Sequence, residues 1–279
     1  MGLEAGYLEL TASELADFLL RETRQVERGT TNPADLLSYL KLVPVVLDLE
    51  AALPGRSSKP RGVLAFPERV VAVQSGLLAQ RARFTVLHEI AHYVLPQHRA
   101  DLYLCDDADL GFWTRNDRER EANEFAADLV FQGDRFTLEA SAMPVSAVSV
   151  KSLKEKYEAS FEATARRLVA KCSRPCMLVV FQPAPSANII DTSQVPKWVV
   201  KYAIPSPSFA NQFFQDIRLG DVPCDVAALV TEPRRDIANS VMREMVIPGP
   251  QGQRYELIVE FFSNHFSIFA LLQPCGGGK

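Results

Sequence analysis

The run Arg83-Phe84-Thr85-Val86-Leu87-His88-Glu89-Ile90-Ala91-His92 sets two histidines four residues apart, with a glutamate directly after the first. On a helix, residues four apart lie one above the other on one face. Two imidazoles so placed can share one tetrahedral cation, and the glutamate beside them can reach a water at that cation as general base. Phe84, Leu87, Ala91 and Val94 give the same segment an apolar side, so residues 81–95 read as a helix with one buried face, stopped by Pro96. The whole chain has four histidines, and two of them fall in this run, which argues against a chance pattern. His88 and His92 are therefore candidate metal ligands and Glu89 the candidate catalytic base, with Zn2+ the expected ion and Mn2+ the alternative in the cell.

A catalytic zinc takes three protein ligands and keeps one open position. Two segments compete to supply the third. His98 stands ten residues after His88, the spacing of the pattern H-E-x-x-H-x-x-G-x-x-H. The glycine of that pattern allows the chain to reverse at positive φ, but Leu95 stands in its place, followed by Pro96, so His98 is read as a solvent-facing loop residue. The rival is the helix-forming stretch 118–131, since a downstream helical glutamate is the gluzincin solution. Its buried face is set by Ala122, Phe125, Ala126 and Leu129. At 100° per residue Glu119 lies about 70° from the centre of that face, Glu121 about 90° away, and Glu124 nearly opposite. Glu119 is the best inward carboxylate by a small margin. Glu121 and Glu124 read as a solvated face with Arg118 and Arg120. Asn123 shares the side of Glu119 and could hydrogen-bond a ligand histidine.

Working outward, residues 11–27 and a segment opening at Asn32-Pro33 read as helices. Residues 43–49, 63–66 and 70–73 read as short strands, and 97–117 as an acidic loop containing Trp113. Residues 150–172 are helical with a break at 158–160. Beyond 174 the composition shifts to Pro, Ser and β-type runs at 177–181, 198–204, 227–231, 255–262 and 266–272, with helices expected at 209–218 and 235–245. The fold class is α+β: a mainly helical, gluzincin-like domain with a small sheet over 1–148, a two-helix segment over 149–174, and an antiparallel-sheet domain over 175–279. Trp198, Phe213, Phe214, Phe261, Phe262, Phe266 and Phe269 are expected in the core of that last domain.

The net charge of −4 gives no general attraction to nucleic acid or anionic membrane. No apolar run reaches the length of a membrane span and the first ten residues lack the features of a signal peptide, so a cytoplasmic location is expected. Cys105, Cys172, Cys176, Cys224 and Cys275 are odd in number and scattered, which reads as reduced packing thiols.

The block from Arg83 to His92 resembles the R-F-T-x-x-H-E-x-x-H motif of the ImmA/IrrE regulatory metallopeptidases, and Glu119-x-Glu121-Ala122-Asn123-x-Phe125-Ala126 resembles their E-x-E-A-N-x-F-A block. The resemblance covers roughly residues 36–172, and the long C-terminal part suits the IrrE branch. It implies that His88, His92 and Glu119 hold the metal and that Glu89 is the base. It also implies that the partner is a helix-turn-helix repressor, cut to release DNA-damage and radiation-response genes. The proline that often follows the second block is missing from Asp128-Leu129-Val130-Phe131. Residues 152–168 look like the helix-turn-helix-like element of the family. Lys and Arg exceed Glu by four between 150 and 174, so this segment either touches DNA phosphates or packs against the peptidase. The C-terminal domain resembles the GAF-like sensor fold, which implies a small-molecule or metal signal. The alternative to a peptidase is a DNA-binding regulator with a non-catalytic metal site, and an intact Glu89 speaks against it.

Overall fold

The computed structural model describes residues 10–55, 58–111, 114–183, 198–213, 240–248, 254–264 and 266–275. They divide into two units. The first takes residues up to Phe136 together with Lys156–Ser160, and the second takes Thr137–Glu155 and the chain from Phe161 onward.

In the first unit, helix α1 (Ala12–Glu22) starts at a capping box in which Thr11 and Glu14 satisfy each other's backbone amides. It buries Leu15, Ala16, Leu19 and Leu20. Asn32 caps α2 (Pro33–Leu40), with proline at the first turn where its missing N–H costs nothing. Strand β1 (Val43–Leu47), the short helix α3 (Leu49–Ala52), and strands β2 (Pro60–Ala65) and β3 (Val70–Gln74) follow. Helix α4 (Ala79–Val94) carries both motif histidines and stops before Pro96, as the sequence predicts. Residues 97–117 are not all loop. Leu102–Asp106 form strand β4, paired antiparallel with β2. The sheet order is β1-β3-β2-β4, with β1 parallel to β3 and the other pairs antiparallel. Helix α5 (Asp117–Phe131), capped by Asn116, ends at Gln132 and Gly133 in left-handed conformation, which supplies the exit that the missing proline left open. α4 packs on β2, β3 and α5, and α1 packs on α5.

Arg83, the arginine of the first block, ties this unit together. Its guanidinium donates to the carbonyls of Thr31, Tyr157 and Glu158 and to the hydroxyl of Thr30, at 2.6–3.1 Å.

Helix α6 (Asp134–Ser141) precedes the second unit's pair α7 (Ala147–Tyr157) and α8 (Phe161–Lys171), separated at the expected break, where Glu158 has φ 49°. The unit's sheet runs β6-β5-β9-β8-β7, antiparallel throughout. Its strands are β5 (Met177–Pro183), β6 (Trp198–Pro205), β7 (Val241–Pro248), β8 (Arg254–Ser263) and β9 (Ile268–Pro274), with α9 (Pro207–Phe213) after β6. The helix expected at 235–245 gives way over its second half to β7, whose Val-x-x-x-Met-Val-Ile run pairs with β8. The β-type run at 227–231 and Phe214 lie outside the described residues. Phe261, Phe262 and Phe269 are buried, Trp198 and Phe213 pack against the core, and Phe266 is exposed instead, at the turn between β8 and β9. α8 lies against β5 and β6, with Phe161 on the rings of Phe262 and Phe269. Arg166, one of the basic residues of the 150–174 segment, is drawn in beside Tyr202 and Glu162, where burial lowers its pKa. No described helix is long and apolar enough to cross a membrane.

Candidate metal centre

The two histidines sit in the middle of α4, one turn apart, where the helix is buried against its neighbours. His88, Glu89 and His92 have no exposed surface. Glu119 lies in the first turn of α5, where the positive end of the helix dipole favours a carboxylate. Because α4 and α5 pack together, this carboxylate meets the histidines. Glu119 Oε2 is 3.0 Å from His88 Nε2 and 3.2 Å from His92 Nε2, and the two ring nitrogens are 3.0 Å apart.

Hydrogen bonds alone do not satisfy this triangle. An ionised carboxylate only accepts, so each imidazole must offer Nε2–H to it, and two N–H donors then face each other at 3.0 Å. A cation at 2.0–2.1 Å from each atom in tetrahedral geometry would hold them about 3.3 Å apart. The donor set therefore fits a first-row divalent ion. Burial works to raise the Glu119 carboxyl, but the bonds to His88 and His92 outweigh it and hold the group well below the usual carboxylate range. Burial also keeps His92 neutral, the form a ligand needs, against the pull of Glu119.

Glu89 points elsewhere on the same helix. Both its oxygens are buried without a well-formed hydrogen bond among the described residues. Burial pushes its carboxyl up to about 8, the neighbouring Cys105 thiol working against the rise. Its place depends on Gly62 in β2: a Cβ there would lie 2.1 Å from Glu89 Oε1 and 2.7 Å from Thr85 Cγ2. Glycine is needed at this point because backbone and carboxylate approach so closely.

His98 is not the solvent-facing residue that the sequence suggests. It is fully buried behind His92. Pro96 starts a single 3-10 turn, Pro96–His98, that folds the imidazole back onto α4. Its Nδ1 is 3.0 Å from His92 Nδ1, and its Nε2 is 3.1 Å from Glu121 Oε2. Glu121 is likewise not a free surface carboxylate, since it also accepts from Gln97. One proton arrangement satisfies the whole chain: His92 donates through Nδ1–H to His98, and His98 donates through Nε2–H to Glu121. That leaves His92 Nε2 as a lone pair facing the cation position. Tyr103 stacks on the His92 ring, with centroids 4.1 Å apart. Asn123 does not bond a ligand histidine. Its amide donates to the carbonyls of Asp109 (2.7 Å) and Gly111 (3.3 Å), which fixes the loop after β4. Glu124 is exposed, as its position on the helix implies.

The residue that sequence reasoning missed is Cys105. It is fully buried on β4, with Sγ 3.6 Å from His92 Nε2 and 3.8 Å from Glu119 Oε2. Among the described residues, His88, His92, Cys105 and Glu119 form the group able to hold a metal ion. The signal that could have found it is the run Leu102-Tyr103-Leu104-Cys105, a β-type stretch inside a segment otherwise read as loop.

Residues 47–169 match the model of a peptidase family described as the IrrE N-terminal-like domain, which supports the resemblance to the ImmA/IrrE family and suggests a metallopeptidase-like domain over that span. The matched span includes α4, α5 and β4. A solved structure of a Mycobacterium tuberculosis transcriptional regulator is similar over 94% of this chain and 86% of that chain, with a TM-score of 0.51 and 15% identity, a likeness of fold. Comparison with curated proteins gave no match.

Proposed function

We propose that this chain is a zinc-dependent, gluzincin-type endopeptidase that cuts a helix-turn-helix repressor and so releases stress-response genes. The observation that carries the reading is the convergence of His88, His92 and Glu119 on one point, beside a buried glutamate whose oxygens have no well-formed hydrogen bond among the described residues. A structural metal site has no need of Glu89, and burying a carboxyl group without a well-formed hydrogen bond in a low-dielectric interior costs free energy that function must justify.

The three ligands would hold zinc, which lowers the pKa of a bound water and polarises a scissile carbonyl. Glu89 accepts a proton from the attacking water at a carboxylate oxygen and returns it to the leaving nitrogen. His98 and Glu121 hold the His92 ring in the tautomer that offers Nε2. Strand β4 is at the sheet edge next to the site, so an extended substrate segment can add along it through backbone hydrogen bonds. Specificity would come from docking a folded repressor. A GAF-like sensing role for the second unit, for a small molecule or metal, belongs to the same proposal.

The test uses purified full-length protein with one equivalent of zinc and a helix-turn-helix repressor from the same genome. Cleavage at one bond, abolished in Glu89→Gln protein that binds the same zinc, is the expected result. Equal cleavage by both proteins would overturn the reading.

A further inference from the structure

The three-ligand site leaves one buried group unexplained. Cys105 lies on β4 directly opposite Gly62 of β2, so its side chain shares the face on which a Cβ at position 62 would meet Glu89. A buried thiol ordinarily packs among hydrocarbons as a small apolar group. This one instead sits among the ligand atoms, and all four of Cys105 Sγ, His88 Nε2 or Nδ1, His92 nitrogen and Glu119 oxygen fall within 4.8 Å of one another.

The distances discriminate further. With zinc–sulfur near 2.3 Å and zinc–nitrogen or –oxygen near 2.0–2.1 Å, a tetrahedral site places sulfur about 3.6 Å from each other ligand atom. Sγ lies 3.6 Å from His92 Nε2 and 3.8 Å from Glu119 Oε2. We propose that Cys105 is the fourth ligand of the same metal, its thiolate closing the position that a hydrolytic water must occupy. The resting protein is then a closed two-histidine, glutamate, cysteine centre, and cleavage requires the sulfur to leave. The exchange is balanced: the S–H bond breaks, its proton passes to solvent, and an Sγ–metal bond forms as a water departs. In reverse, an entering water displaces the sulfur, which takes a proton back. This inference rests on the metal centre proposed above and adds to it a built-in brake.

X-ray absorption fine structure of the full-length protein loaded with one equivalent of zinc tests it without any variant. One sulfur neighbour near 2.3 Å, with the rest nitrogen or oxygen near 2.0–2.1 Å, is expected. A shell of nitrogen and oxygen alone would overturn the Cys105 assignment while leaving the three-ligand site standing. Absence of stoichiometric zinc binding would overturn both. As a second readout, the cobalt-substituted protein should show a thiolate-to-cobalt charge-transfer band in the near ultraviolet. The band should vanish in Cys105→Ser while one cobalt still binds, and its persistence there would place the sulfur ligand on another cysteine and sink the proposal.

Discussion

His98 Nδ1 lies 3.0 Å from His92 Nδ1, on the far side of the ring from the nitrogen that meets Glu119. A ligand histidine is only as good as the group that fixes its tautomer, and here that group is a second, buried histidine held in turn by Glu121. Removing the support should leave the first ligands in place but loosen them. His98→Ala is expected to weaken zinc binding by about 10- to 100-fold, and Glu121→Ala by less because that carboxylate is partly solvated. Competition with a chromophoric chelator measures both. Affinity unchanged in His98→Ala would mean the relay has no bearing on the metal.

Gly62 makes a different prediction. A methyl group at that position overlaps Glu89 Oε1, while the ligands on α4 and α5 are untouched. Gly62→Ala should therefore keep its zinc yet lose turnover by about 10²-fold or more, the scale of a displaced general base, and lose roughly 1–3 kcal/mol of stability from overpacking. Zinc content by emission spectrometry and cleavage rate separate the two effects. Loss of zinc with activity per bound zinc intact would contradict the geometry.

Those two residues also mark what the sequence could and could not reveal. The helix bearing His88, Glu89 and His92 was legible because its period and its chemistry agree, and Glu119 followed from the angular position of a carboxylate relative to Ala122, Phe125, Ala126 and Leu129. Helix periodicity is local information. His98, Glu121 and Cys105 enter the site through long-range packing: a 3-10 turn that folds back, and a strand whose pairing with β2 no short window encodes. The same cause explains β7, where a segment with mixed propensity took its conformation from its partner β8. Asn123 shows the converse limit, since sharing a helix side with Glu119 did not decide which loop its amide would tie down.

The acidity of Glu89 gives a signed pH dependence. Its carboxyl titrates at about 8 in the folded chain against 4.5 as a reference. Between those values the unfolded chain has released the proton and the folded chain keeps it, so raising the pH favours unfolding. Chelator-treated protein should lose stability as pH rises from 4.5 toward 8, by at most about 1.4 kcal/mol per pH unit. Glu89→Gln has no such proton to lose and should show a flatter profile over the same range. Denaturant unfolding at several pH values checks this, and identical slopes would show that Glu89 is not held protonated.

Arg83 is expected to matter for stability rather than chemistry. Its guanidinium satisfies three carbonyls and a hydroxyl drawn from residues 30–31 and 157–158. Arg83→Met would take the guanidinium donors from these acceptors and should cost about 3 kcal/mol or more, while Arg83→Lys, with one point charge in place of a planar fork, should recover only part of it. Denaturant titration reads both, and a loss below about 1 kcal/mol in Arg83→Met would contradict the clamp.

The most direct test of the peptidase reading is a comparison of new protein N-termini in cells making the wild-type chain or Glu89→Gln, before and after DNA damage. One new N-terminus inside a small helix-turn-helix repressor, present with the wild type and absent with the variant, is the predicted result. Identical sets of N-termini in the two strains would contradict it and leave the metal centre a structural feature of a regulator that cuts nothing.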